Sequence, residues 1–251
     1  MGIKNEVKEL VKKLDGNIGV YVKFLNSGET IEINADLQFQ AASIIKIPIL
    51  TEFFRQVEEG DLKLNRKIKI KEENLVKGSG IVHLLDKNNE YTLEDLAKLA
   101  VILSDNASTN EIVDLIGPEN VKKHIEKLGL EKTTFKHKMM IKANGGPNLT
   151  TPKEISILLE KLYNNELAYS EKILDIMTES KLRHGIPSLI PNEIKISHKT
   201  GNLQNTVHNV AVIYAKNPFI MSFLSNNQKD KRFTNKVMAE CAKLCFAYAN
   251  K

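Results

Sequence analysis

Apolar residues recur at helical spacing through the middle of the chain, and short apolar or alternating runs lie near both ends. The helical pattern predicts helices over residues 6–14, 43–59, 92–103, 106–116, 120–128, 151–163 and 231–248. The strand-like runs are residues 18–25, 30–33, 194–198, 207–215 and 219–224. We therefore expect an α/β fold of the α+β type, with an antiparallel sheet built from both termini and flanked by helices.

The middle of the chain predicts an all-helical insertion into this sheet domain. The expected division is an α/β domain of residues 1–42 and 185–251 and a mostly helical domain of residues 43–184, with an active site between them. Residues 133–150 lack periodicity and contain Asn144-Gly145-Gly146-Pro147, so we predict a long loop there. Loops of this length in compact domains are usually functional or disordered.

The helix predicted after Gln40 carries the first candidate chemistry. Ser43 lies at its start, where unpaired N–H groups and the positive dipole end favour a developing negative charge. Lys46 follows three residues later, on the same face and among isoleucines. Burial lowers the pKa of a lysine and makes its neutral amine available as a base, so Ser-x-x-Lys here fits an activated nucleophile. A capping serine followed by a surface lysine gives the same pattern, and this motif alone does not separate the two interpretations.

Two further triplets follow. Ser104-Asp105-Asn106 lies between two predicted helices and alone fits a pair of helix caps. Lys199-Thr200-Gly201 is expected to end a strand, which alone indicates only a turn. In the order Ser-x-x-Lys, Ser-x-Asn and Lys-Thr-Gly, however, the chain resembles the class A β-lactamases and penicillin-binding proteins.

The resemblance extends over residues 18–248, nearly the whole chain. Other positions that agree with it are Phe39, Pro48, Gly78-Ser79-Gly80, Ser108-Thr109-Asn110, Leu128-Gly129-Leu130, Thr150-Thr151-Pro152 and His198.

The resemblance implies a catalytic role for three residues. Ser43 would attack an amide or ester carbonyl and become acylated, Lys46 would hold or accept its proton, and Ser104 would relay a proton to the leaving nitrogen. The oxyanion hole would consist of the backbone N–H groups of Ser43 and Asn202, the residue after Gly201.

It also implies a substrate-binding set. Asn106 would bind the side-chain amide of the substrate and Lys46, while Lys199 and Thr200 would bind its carboxylate. Arg183 is a further candidate for the carboxylate by its position near the sheet.

The chain departs from the family pattern in the long loop. Class A β-lactamases carry a glutamate there that activates the water releasing the acyl-enzyme, whereas residues 132–153 contain no Asp or Glu. Glu131 and Glu154 flank the loop, and we interpret both as structural, Glu154 as a capping-box partner. Asn148 has an amide, which cannot act as a base, and Asn209 follows His208 where many relatives have His-Asp.

The sequence therefore predicts a β-lactamase-like serine hydrolase with slow deacylation, acting on a β-lactam or a cell-wall peptide. One alternative is a D-alanyl-D-alanine carboxypeptidase. Another is a non-enzymatic penicillin-binding or sensor domain that is acylated once. The motifs favour acylation, whereas the loop lacks a carboxylate to support deacylation, so these three functions all remain open.

Composition adds few constraints. The net charge of +5 is spread along the chain, without the basic and aromatic interleaving typical of nucleic-acid binding. Cys241 and Cys245 lie four residues apart on one predicted helix and fit core thiols. The six histidines lack metal-ligand spacing, so we expect no metal and no cofactor. We also expect a monomer.

No apolar run has membrane-spanning length, and the N-terminal residues do not form a secretion signal. Both observations fit either a cytosolic protein or an exported one whose leader was replaced by Met-Gly.

Overall fold

The computed structural model describes residues 2–141 and 145–251, so residues 142–144 of the predicted long loop lie outside the described residues. The helices are α1 Ile3–Val11, α2 Lys46–Glu58, α3 Leu93–Ile102, α4 Asn106–Ile116, α5 Pro118–Lys127, α6 Pro152–Tyr163, α7 Ser170–Thr178 and α8 Lys231–Ala249. The strands are β1 Asn17–Phe24, β2 Thr30–Ile33, β3 Phe39–Gln40, β4 Lys67–Lys69, β5 Glu90–Thr92, β6 Leu149–Thr150, β7 Ile196–Leu203, β8 Thr206–Ile213 and β9 Phe219–Asn226.

One five-stranded antiparallel sheet has the order β2-β1-β9-β8-β7. Strands β1 and β9 pair along their full length, from Asn17 opposite Asn226 to Phe24 opposite Phe219. The sheet thus joins strands from both ends of the chain, and the predicted architecture is confirmed.

Helices cover both faces of this sheet. Along β8, Val210 and Val212 belong to a hydrophobic core shared with the middle helices, whereas Ala211 and Ile213 belong to a second core shared with α1 and α8. Because successive side chains of a strand point to opposite faces, a strand buried on both sides can carry a continuous apolar run, as β8 does over its last four residues, 210–213. The boundaries proposed at residues 42 and 185 stay a prediction.

The middle segment is mainly helical, and the pattern did not predict two small sheets, one inside this segment and one that joins it to the residues just before it. Strand β3 pairs with β6, and β4 pairs with β5. The pattern also missed α7, whose preceding residue, Tyr169, has a left-handed backbone and no capping side chain. A helix without a cap residue lacks the local signal that marks a start.

Local signals placed other elements accurately. Thr92 and Asp95 form a reciprocal capping box at the start of α3, and the side chain of Thr151 caps α6. Cys241 and Cys245 are free, buried thiols on α8, as predicted. Among the residues that the structure describes, no helix has both the length and the apolar character needed to cross a membrane.

Candidate active site

Ser43 lies in a 3₁₀ turn, Ala42–Ile45, and α2 begins only at Lys46, so the prediction of an α-helix from Ser43 was wrong by three residues. The preceding Ala42 has a φ of 47°, a left-handed conformation that costs a non-glycine residue energy. Such strain is found where the surrounding structure holds a site in place. Ser43 is half-buried and lines a cavity of about 300 Å³.

Lys46 is fully buried beneath this cavity. Its Nζ lies 2.6 Å from the carbonyl oxygen of Ser104 and 2.9 Å from Oδ1 of Asn106. Burial lowers the pKa of Lys46 well below its usual value, and the nearby charge of Lys199 lowers it further, while Asp105 raises it. The neutral amine expected from the sequence therefore has a physical cause in the fold.

Ser104 joins the two lysines. Its Oγ lies 2.8 Å from Nζ of Lys199 and 3.3 Å from Nζ of Lys46. Burial lowers the pKa of Lys199 to about 7. Ser104 itself has a φ of 54°, a conformation that nothing in the sequence indicated.

Asp105 organises the loop in front of this cluster. Its carboxylate accepts hydrogen bonds from the backbone N–H groups of Ile81 at 2.7 Å, Val82 at 2.9 Å and Ser108 at 2.8 Å. A Cβ added at Gly80 would lie 2.0 Å from Oδ2 of Asp105, so only glycine fits there. The sequence predicted the helix cap but not the anchoring of a distant loop.

The Lys-Thr-Gly triplet lies inside β7, and the prediction that it ends a strand was wrong. Pairing with β8 continues past Gly201 to Leu203, opposite Thr206. A Cβ added at Gly201 would lie 3.0 Å from Cγ1 of Ile44, so the glycine allows β7 to pack against the turn that carries Ser43. Thr200 is buried, and its carbonyl oxygen accepts a hydrogen bond of 2.9 Å from Lys199.

The cavity brings three of the predicted residues together, namely Ser43, Asn106 and Asn202. The other lining residues are Gln40, Ala42, Gly78, Ser79, His137, Met139, Met140, Asn148 and Leu203. Lys46, Ser104 and Lys199 form the buried cluster behind this surface, linked to it by the hydrogen bond between Lys46 and Asn106.

The loop that approaches Ser43 is held by amides. Oδ1 of Asn148 accepts hydrogen bonds from the backbone N–H groups of Lys136 at 2.7 Å and His137 at 3.1 Å, and its Nδ2 donates to the carbonyl of His137 at 2.9 Å. Among the lining residues that the structure describes, no side chain is a carboxylate.

Glu154 is structural, though in a different way from the capping-box role expected. Its carboxylate accepts from the backbone N–H of Lys132 at 2.7 Å and from Oγ1 of Thr133 at 2.6 Å, and so fastens the start of the loop to α6. Glu131, the other flanking carboxylate, is exposed.

Asn209 acquires a physical role that the sequence did not suggest. It lies opposite Thr200, and its Nδ2 donates to the carbonyl of His184 at 2.9 Å. The neighbouring His198 is fully buried, and burial together with the charges of Arg183 and Lys199 lowers its pKa to about 3. Arg183 is exposed, and its role in binding a carboxylate stays a prediction.

His208 links two backbone segments in a way that sequence reasoning missed. Its ring bridges the backbone N–H of Ser225 at 3.1 Å and the carbonyl of Gln40 at 2.9 Å. Burial lowers the pKa of His208 to about 4, so the ring is neutral and donates from Nε2 to Gln40, close to Ser43. His208 and Gln40 are 168 residues apart, a separation that no local pattern can indicate.

Within residues 2–141 and 145–251, no group of three or more His, Cys, Asp or Glu side chains is arranged to hold a metal ion.

A family model described as the β-lactamase enzyme family matches residues 2–249. The chain belongs to this family. It is 27% identical to β-lactamase SME-1 of Serratia marcescens over 95% of this chain and 86% of the relative. Its fold matches a β-lactamase from Sphaerobacter thermophilus with a TM-score of 0.92, 25% identity and coverage of 99% and 97% of the two chains.

A further structural match is an acyl-enzyme complex of penicillin G with a leucine-to-glutamate variant of the protein PBP-A. The TM-score is 0.89, with 24% identity and coverage of 98% of this chain and 95% of that one. At this level of identity the match shows a shared fold.

Proposed function

We propose that this protein is a serine β-lactamase that forms an acyl-enzyme on Ser43 and releases it slowly. The observation that carries the proposal is the fully buried Lys46, whose lowered pKa supplies a neutral amine three residues after a cavity-lining serine. Membership of the β-lactamase enzyme family supports the same reaction class.

In the acylation step, Oγ of Ser43 attacks the lactam carbonyl carbon and its proton passes to Lys46. The C–N bond of the lactam then breaks, and the leaving nitrogen takes up a proton relayed by Ser104, which contacts both lysines. The backbone N–H groups of Ser43 and Asn202, two residues that line the cavity, would stabilise the oxyanion. Loss of one such donor typically costs on the order of a hundredfold in rate.

In substrate binding, the ammonium group of Lys199 would pair with the carboxylate of the substrate, helped by Thr200. Gly201 keeps β7 close to the Ser43 turn, which brings that carboxylate site near the nucleophile. Asn106 links Lys46 to the cavity and would bind the side-chain amide of the substrate.

Slow deacylation is proposed because the described cavity wall offers an amide, Asn148, rather than a carboxylate on the loop side. The same observation favours a second candidate, a D-alanyl-D-alanine carboxypeptidase. PBP-A shares this fold, and a variant of it forms an acyl-enzyme complex with penicillin G.

Intact-protein mass spectrometry after mixing with benzylpenicillin tests the proposal. Wild type should gain the full mass of the ligand and keep it far longer than a fast β-lactamase takes for one turnover. Ser43→Ala should gain no mass. Ser79→Ala is the matched control, because Ser79 lines the same cavity and its loss should leave the adduct intact.

Other results would change the assignment. Rapid, complete turnover without an adduct would contradict slow deacylation. Steady hydrolysis of a D-Ala-D-Ala peptide with negligible nitrocefin turnover would identify the carboxypeptidase. A stoichiometric burst without any steady state would identify a binder.

A further inference from the structure

His137 holds a distinctive place in the cavity wall. It lines the cavity together with Ser43, Asn106 and Asn148. Among the lining residues that the structure describes, it carries the one ionisable side chain, since the others are amides, hydroxyls, glycine and apolar groups. It is therefore the side chain of this wall that is able to accept a proton from water.

The tautomer of His137 is set by its own loop. Nδ1 lies 2.7 Å from the carbonyl oxygen of Lys138. A carbonyl only accepts hydrogen bonds, so Nδ1 carries the hydrogen and the lone pair of the neutral ring lies on Nε2. A histidine held in this way by a backbone carbonyl is oriented for acid–base chemistry through the other nitrogen.

The segment that carries His137 is fixed on both sides. Asn148 binds the backbone N–H and carbonyl of His137 at 3.1 and 2.9 Å. Nζ of Lys138 donates to Asn74 and Asp114, each at 2.8 Å, and Asn110 binds both backbone groups of Met139. A base must hold its geometry to be effective, and these hydrogen bonds hold residues 136–139 in place.

The other nearby base has a different task. Lys46 is engaged by Asn106 and by the carbonyl oxygen of Ser104 behind the cavity wall, and the proposed function assigns it to the proton of the Ser43 hydroxyl. Hydrolysis of the acyl group needs a base that faces the cavity, where water approaches the acyl carbonyl.

We propose that His137 is the general base that activates water to hydrolyse the acyl group on Ser43. The inference rests on the proposed function. Nε2 takes a proton from water while the water oxygen forms a bond to the acyl carbon. As the bond from that carbon to Oγ of Ser43 breaks, the proton returns from the imidazolium to Oγ, which leaves free serine and the product acid.

The test separates acylation from deacylation in His137→Gln by following benzylpenicillin adducts over time. We expect the rate of acylation to stay within about twofold, while the adduct lifetime lengthens by on the order of a hundredfold. Lys136→Gln is the matched control, because it changes an exposed neighbour in the same loop and should leave both rates unchanged.

A second variant guards against a merely structural effect. In His137→Ala, the rate of adduct decay should rise in proportion to the concentration of added imidazole. Imidazole should have no such effect on wild type or Lys136→Gln. Equal adduct lifetimes in wild type and His137→Gln would overturn the assignment and leave the proposed function standing. So would acylation that slows as much as deacylation, or a lifetime that imidazole does not change. No adduct and no product in wild type would instead overturn the proposed function, and this inference with it.

Discussion

Nζ of Lys199 lies 2.8 Å from Oγ of Ser104, inside the protein and shielded from water. The same oxygen faces Nζ of Lys46 at 3.3 Å. Burial lowers the pKa of both lysines, and that of Lys46 falls further because of the charge on Lys199. We therefore expect the working state to combine a neutral Lys46 with a charged Lys199.

This arrangement predicts a fall in kcat/KM at alkaline pH for substrates that carry a carboxylate. The lowered pKa of Lys199, about 7 in the empty protein, means that its charge is lost as the pH rises through that value. Beyond it, kcat/KM should fall by about tenfold per pH unit at most. A bound carboxylate favours the ammonium form, so kcat should depend less on pH than kcat/KM does.

A substrate whose carboxylate is esterified serves as the control for this pH profile. It should bind more weakly but lack the alkaline fall. An alkaline limb of the same size for the ester would mean that Lys199 is not the carboxylate partner.

Two replacements of Ser104 should have equal effects on acylation and different effects on stability. Ser104→Ala and Ser104→Gly both remove the hydroxyl that contacts Lys46 and Lys199, so each should slow acylation on the order of a hundredfold. The φ of 54° suits glycine, so the glycine variant should be about 1 kcal/mol more stable than the alanine variant. Rapid-mixing kinetics and denaturant unfolding measure the two effects, and near-wild-type acylation in both variants would rule out the proton relay.

Removal of the Asp105 carboxylate should weaken the fold itself. Asp105→Ala leaves three backbone N–H groups, those of Ile81, Val82 and Ser108, without their acceptor. We expect a loss of about 3 kcal/mol in the free energy of unfolding, measured with urea. Asp86→Ala is the control, since that exposed carboxylate binds the N–H of Asn88 and its loss should cost about 0.5 kcal/mol. Equal losses in the two variants would contradict the anchoring role.

Glu154→Gln tests whether the flanking glutamate has any share in the chemistry. The amide keeps one acceptor oxygen for Lys132 and Thr133 but loses the charge, so we expect a destabilisation of about 1 kcal/mol. The lifetime of the benzylpenicillin adduct should not change. A lengthening as large as that expected for His137→Gln would mean that Glu154 acts in deacylation.

Features with a local cause could be predicted from the sequence. The bounds of β2 and α4 agree with prediction to the residue, and the helices predicted to begin at residues 92 and 151 have Thr92 and Thr151 as their capping residues. The order of the three triplets indicated the family. Each of these signals lies within a few residues of the feature that it specifies.

Features that depend on distant partners could not be predicted. The turn glycine at Gly201 suggested the end of a strand, whereas its purpose is contact with Ile44 on another element. Asn209 and His208 act through the backbone of His184 and Gln40, which the fold alone brings near. The left-handed conformations of Ala42 and Ser104 are imposed by surrounding packing, because neither residue type favours them.

The pairing of β1 with β9 has a consequence for biosynthesis. A ribosome makes residues 17–24 about 200 residues before their partners at 219–226. Until β9 emerges, the apolar strand β1 has a free edge, and β7 cannot take its place beside the Ser43 turn through β8. Contacts between such distant segments form slowly, and exposed strand edges promote aggregation in the meantime. We therefore expect the nucleophile to be made early but to become reactive only when nearly the whole chain has left the ribosome.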